Sequence, residues 1–181
     1  MSDQARVVPH GETPAPGPGP DAAPAPRRRG VVVTAVVAAV VVAVDQLTKS
    51  WAVHRLSQGD IHVVWKLDLQ LTYNSGASFG VAKGWAPVIA GVAITVVVLL
   101  LASARQVRST PLSFCLGLII GGALGNLVDR LARAHHGAVV DFIAVHFWPT
   151  FNVADSCIVI GAIGAALVVL RTARSETQSS S

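Results

Sequence analysis

The chain has 181 residues, enough for one domain, and is 52% hydrophobic but only 13% charged. Soluble domains carry about 25% charged residues and mean hydropathy here is +0.56, so composition excludes an ordinary soluble domain and points to a membrane protein. The formal charge of +4 reflects arginines clustered at segment ends, not a basic stripe with interleaved aromatics, which argues against a nucleic-acid partner.

Residues 1–29 are rich in Pro, Ala and Gly and close on Arg27-Arg28-Arg29; this composition predicts a disordered cytoplasmic tail. Gly30 to about Trp51 is apolar and long enough to cross a hydrocarbon core of roughly 30 Å. No small-residue cleavage site follows it, so it reads as an anchored span and not as a removed signal peptide. The three arginines place its start in the cytoplasm. Asp45 and Lys49, four apart, share a helix face near its outer end, either as a local ion pair or to orient a site.

From Ile61 to Tyr73 every odd position is apolar and most even positions are polar, which predicts a half-buried strand or hairpin on the outer side. Asn74-Ser75-Gly76 is a turn signal, and Gly76, Ala77, Ser78 and Gly80 would let a backbone approach a ligand closely. Trp85 to about Ala104, Pro111 to about Leu131, and Val153 to Leu170 are three further spans. Small residues in GGALG of the third suit tight helix packing. Residues 172–181 form a second polar tail, leaving 30–171 as the membrane domain with both termini inside. Cys115 and Cys157 lie in apolar runs and read as buried free thiols.

In this topology Asp45, Asp129, Asp141 and Asp155 all reach the outer interface. A carboxylate there is costly unless paired, which makes each a functional-site candidate. Asp129 is followed by Arg130, which would hold it ionised, with Asn126 one turn earlier, and reads as a structural anchor. Asp141 and Asp155 have no adjacent cation. If they meet, they titrate as a unit: one member takes a proton from water and the other supports the developing oxyanion. The alternative at this point is that each caps its own element, and Asp155 near a helix start suits that role.

Five stretches in order carry a resemblance: DQLTK (45–49), YNSGASFG (73–80), GGALGNLVDR (121–130), VVDFI (139–143) and FNVADS (151–156). With them the chain resembles the lipoprotein signal peptidases (signal peptidase II), bacterial membrane aspartic peptidases. The resemblance implies a catalytic pair at Asp141 and Asp155. It implies supporting or substrate-binding roles for Asp45, Lys49, Asn74, Gly76, Asn126, Asp129, Arg130 and Asn152. It also implies four transmembrane helices with a small extracytoplasmic β-sheet in the bacterial cytoplasmic membrane. The substrates would be prolipoproteins, cut before a diacylglyceryl-modified cysteine. Neither metal nor cofactor is implied; inhibition by globomycin-type cyclic peptides is. A monomer needs no further assumption. Ser78 stands where the family often has Ala, and the link from Arg130 to Asp141 is a few residues longer than usual.

Rival readings are weaker on the residues. His135, His136, Asp141 and His146 are close in sequence, but no HExxH is present and adjacent histidines point apart on most backbones. A presenilin-type protease would carry GxGD, which is absent. A proton- or ion-coupled transporter would distribute carboxylates through the bilayer depth, whereas the inner halves of these spans carry none.

Overall fold

The computed structural model describes residues 26–75, 86–133 and 137–179. In chain order they form α1 (Pro26–Leu56), β1 (Ile61–Val64), β2 (Leu67–Asn74), α2 (Ala86–Ala104), α3 (Thr110–Ala132), β3 (Val139–Val145), β4 (Trp148–Phe151) and α4 (Val153–Ser179). The architecture is mostly helical with one small antiparallel sheet, ordered β1-β2-β3-β4.

The valine-rich run of α1 would favour a strand by side-chain preference alone. Where water is absent, however, a helix satisfies every backbone group within the segment. Among the described residues, the helices over 28–56, 110–132 and 153–175 are long and apolar enough to cross a membrane, and α2 contains a shorter apolar stretch, Ala90–Ala104. Cys115 and Cys157 are free thiols. The last helix continues past Leu170 through Arg171 and Arg174 to Ser179, because that segment contains no Gly or Pro to stop it.

The central helix is α3, which packs against α1, α2 and α4. Its small residues set the spacing. A Cβ added at Gly121 would lie 2.7 Å from Val41 Cβ on α1, and one at Gly122 would collide with the Ala154 carbonyl of α4.

The Ile61–Tyr73 alternation forms a hairpin, with its turn at Trp65, whose φ is 51°. Ile61, Leu69 and Leu71 turn toward Ala52, Leu56, Phe142, Ile143 and Val153, so one face of the sheet rests on the end of α1 and the start of α4. The second hairpin, β3–β4, has no comparably clean alternation. It places Asp141 opposite Thr72 and Val139 opposite Asn74. Asn74 is therefore the diagonal neighbour of Asp141 on one face of the sheet.

Candidate active site

Asn152 lies between β4 and α4 and joins the two aspartates. Its side-chain Oδ1 accepts the Asp155 backbone N–H at 2.9 Å, while its own backbone N–H donates to Asp155 Oδ2 at 3.2 Å. This is a capping box built from Asn and Asp: helix α4 starts by satisfying two otherwise orphaned donors. The Asn152 Nδ2 donates to Asp141 Oδ1 at 2.6 Å and also lies near Asn126 Oδ1 (3.1 Å) and the Val140 carbonyl (3.3 Å). Asn126 Nδ2 donates to Asp155 Oδ1 at 2.8 Å, and Asn74 Nδ2 donates to Asp141 Oδ2 at 3.0 Å. Three asparagines thus aim both carboxylates, and all four carboxylate oxygens accept hydrogen bonds.

Beneath this layer sits Lys49, fully buried. Its Nζ contacts Asp45 Oδ2 at 2.8 Å, Asp129 Oδ2 at 2.9 Å and Asn126 Oδ1 at 2.8 Å, one acceptor for each of its three N–H groups. Asp45 Oδ1 accepts the backbone N–H of Ala154 and Asp129 Oδ2 that of Val140, both at 3.0 Å. Burying this triad is tolerable because charge and hydrogen bonds are satisfied together.

Here the structure corrects one expectation. The adjacent Arg130 does not hold Asp129; its Nη1 donates instead to the Gly137 carbonyl at 3.0 Å, fixing the entry to β3. Asp129 is held by Lys49 and by Arg133, whose Nε lies 2.9 Å from Asp129 Oδ1 although its N–H is not aimed at that oxygen. Consecutive helical residues face different ways, whereas residues four apart share a face. Gln46, not anticipated from sequence, donates to the Gly125 carbonyl and to Asp129 Oδ1, both at 3.0 Å, and accepts from Arg133 Nη2 at 3.2 Å. Its place in the DQLTK stretch, one residue after Asp45, was the signal that could have found it. Gly76 lies outside the described residues, as do His135 and His136. His146 is not with Asp141. It and His62 contact the two oxygens of Asp68 at 2.9 and 2.6 Å, and these hydrogen bonds hold the Asp68 carboxyl below its ordinary value.

The two aspartates differ in surroundings. Asp141 is 1% exposed. Burial pushes its carboxyl up to about 6, and the charge of Asp155 adds to this, against hydrogen bonds from Asn74 and Asn152 and the charge of Lys49. Asp155 is half-buried and opens on an apolar groove of about 400 Å³ lined by Val145, Phe147, Trp148, Phe151, Val159 and Ile160. Asp141 borders a smaller cavity of about 230 Å³, with Thr72, Asn74, Pro149 and Thr150. A pair of carboxylates with one member near neutrality is equipped for acid–base chemistry on a bound water, and the adjoining apolar groove suits a hydrocarbon-bearing ligand.

Comparison with known proteins identifies the family. Residues 37–171 match the family Signal peptidase (SPase) II. The lipoprotein signal peptidase of Rhodococcus jostii is 47% identical over 142 residues, covering 75% of this chain and 70% of that protein. That of Mycolicibacterium smegmatis is 40% identical over 168 residues, covering 90% and 71%. A bacterial membrane enzyme solved by the in meso method at 1.9 Å superposes with a TM-score of 0.69 at 28% identity, covering 76% of this chain and 92% of that one. A second such structure, at 2.3 Å, gives 0.66 at 27% identity, covering 76% and 87%. With the family match spanning most of the membrane helices and every described residue of the aspartate–asparagine–lysine cluster, this chain belongs to the signal peptidase II family.

Proposed function

We propose that this chain is a membrane aspartic endopeptidase that removes signal peptides from prolipoproteins, cutting before a diacylglyceryl-modified cysteine. The observation that carries the reading is Asn152, which binds Asp141 through its side chain and Asp155 through a reciprocal cap. Asp155 accepts a proton from the attacking water. Asp141, raised toward neutrality, holds the proton that is donated to the scissile carbonyl as charge develops on its oxygen. Asn74, Asn126 and Asn152 hold the carboxylates in place; Asp45 and Asp129, tied together by Lys49, hold the backbone beside them; Arg130 fixes the strand entry; Gly76 admits the substrate backbone. The groove beside Asp155 receives the acyl-chain end of the substrate. No metal takes part, and globomycin-type cyclic peptides compete for the same cleft.

In this reading α2 is a fourth span, both termini are cytoplasmic, and a single chain in the bacterial cytoplasmic membrane presents the site at the extracytoplasmic face. The substrate's lipid keeps it in the bilayer, so its cleavage point is reached only by carboxylates at the membrane surface. The test is cleavage of a diacylglyceryl-modified prolipoprotein in detergent by wild type, Asp141→Asn and Asp155→Asn, with EDTA in parallel. Folded variants that lose nearly all activity, with wild type indifferent to EDTA, support the pair. A variant that keeps most activity removes its aspartate from the mechanism.

A further inference from the structure

Along the part of α1 that precedes Asp45, an apolar groove of about 650 Å³ lies between α1, α2 and α3, starting at Val31 and reaching Ala43. Ala35, Ala39 and Ala43 recur every four residues of α1 along it, leaving a channel where valines would fill the space. On α1 the groove runs from Val31 to Ala43, about 18 Å at 1.5 Å per residue. That is close to the roughly 15 Å hydrocarbon depth of one leaflet. Arg105 lines the groove, and a second cavity of about 480 Å³ adjoins it through Arg28, Val31, Val32 and Arg105. The groove therefore has an apolar length and one basic end, with both arginine side chains exposed.

We propose that this groove binds one anionic glycerophospholipid, its acyl chains along Ala35–Ala43 and its phosphate between Arg28 and Arg105. Guanidinium groups pair with phosphate through charge-assisted hydrogen bonds, and basic pockets between membrane helices favour anionic head groups. A signal-peptide segment is disfavoured as occupant, because its positively charged start would meet the two arginines at this end. The basic end of the groove, at Arg28 and Arg105, lies apart from the aspartates, and the count of retained lipid does not depend on their role.

The full chain would be purified in detergent and exchanged against equimolar phosphatidylglycerol and phosphatidylcholine, and retained lipid would be counted by native mass spectrometry. One phosphatidylglycerol per chain should be held in preference. Arg28→Gln and Arg105→Gln should each weaken that retention on the order of fivefold. Arg105→Lys should keep the preference for the anionic lipid, and Ala39→Leu, which fills the groove, should reduce retention of the bound lipid. Prolipoprotein cleavage should persist in all four, reporting folding independently. If Ala39→Leu does not fold, the arginine variants decide alone. Equal retention of the two lipids overturns the proposal, as does a preference that survives the double Gln variant. Displacement by an unlipidated signal peptide at equimolar concentration also overturns it and assigns the groove to substrate.

Discussion

Asp129 accepts the backbone N–H of Val140, the residue just before Asp141, at 3.0 Å. Asp45 does the same for Ala154, the residue just before Asp155. The two deeper carboxylates thus hold the backbone beside the two candidate catalytic ones, and Lys49 ties the deeper pair together. Lys49→Met should leave buried Asp45 without its cation and Asp129 with Arg133 alone, costing about 3–5 kcal/mol. Adding Asp45→Asn and Asp129→Asn should restore much of that stability but little cleavage. Thermal unfolding in detergent alongside the cleavage assay checks this; a single Lys49→Met variant as stable as wild type would contradict it.

Asn152 has separable duties. Asn152→Ser keeps a capping oxygen for the Asp155 N–H but cannot reach both neighbours as the amide does. Its melting temperature should stay within a few degrees of wild type, whereas Asn152→Ala should lose about 1 kcal/mol. Both should cleave at a small fraction of the wild-type rate, seen in kcat more than in KM. Near-normal kcat in Asn152→Ser would show that the Asp141 contact is dispensable.

Asp141 also sets a pH dependence. Its carboxyl lies at about 6 in the folded chain against an ordinary 3.8, so between these values the folded chain holds a proton that the unfolded chain has released. The stability contributed by this group is complete below pH 3.8 and is lost as pH rises through about 6. The loss is at most about 3 kcal/mol. The stability of wild type relative to Asp141→Asn should therefore fall as pH rises from about 4 to about 6 and then level off. A constant difference across that range, measured by denaturation, would place the group at its ordinary value.

Gly125 leaves room for Asp45. A Cβ there would lie 2.5 Å from Asp45 Oδ2. Gly125→Ala should cost about 1–3 kcal/mol through overpacking and should reduce cleavage by displacing the carboxylate that holds Ala154. Gly91, with open space around its Cβ position, is the control: Gly91→Ala should change cleavage little. Equal behaviour of the two variants would argue against a steric role at Gly125.

Much of this arrangement was legible in the sequence because its signals are local. The apolar runs gave the long helices, the alternation from Ile61 gave the first hairpin, and the four-residue spacing gave the Asp45–Lys49 pair. What escaped depends on distant residues. Asp129 and Arg130 are neighbours in the chain, yet the cations on Asp129 come from Arg133, one turn later, and from Lys49, eighty positions earlier. The small-residue row Gly117, Gly121 and Gly125 marks the face of α3 that meets α1, but no local pattern records which α1 side chains it meets. The β3–β4 hairpin was hidden because β3 is buried almost throughout and so lacks the polar half of an alternation. Asn152 was named only through resemblance, since its bridging role exists only once β3 and the start of α4 are side by side.

The ion pairs of the buried cluster are arranged helix by helix. Within α1, Asp45 already has Lys49 one turn later, and at the end of α3 Asp129 has Arg133 one turn later. Each segment can therefore enter the bilayer during synthesis as a self-neutralised unit, before the other exists. Docking of α3 onto α1 then shares Lys49 between both aspartates without ever leaving a bare charge in lipid. A chain with Arg133 removed would keep the lysine contact of Asp129, but the carboxylate would have no cation from its own segment until α3 docked on α1.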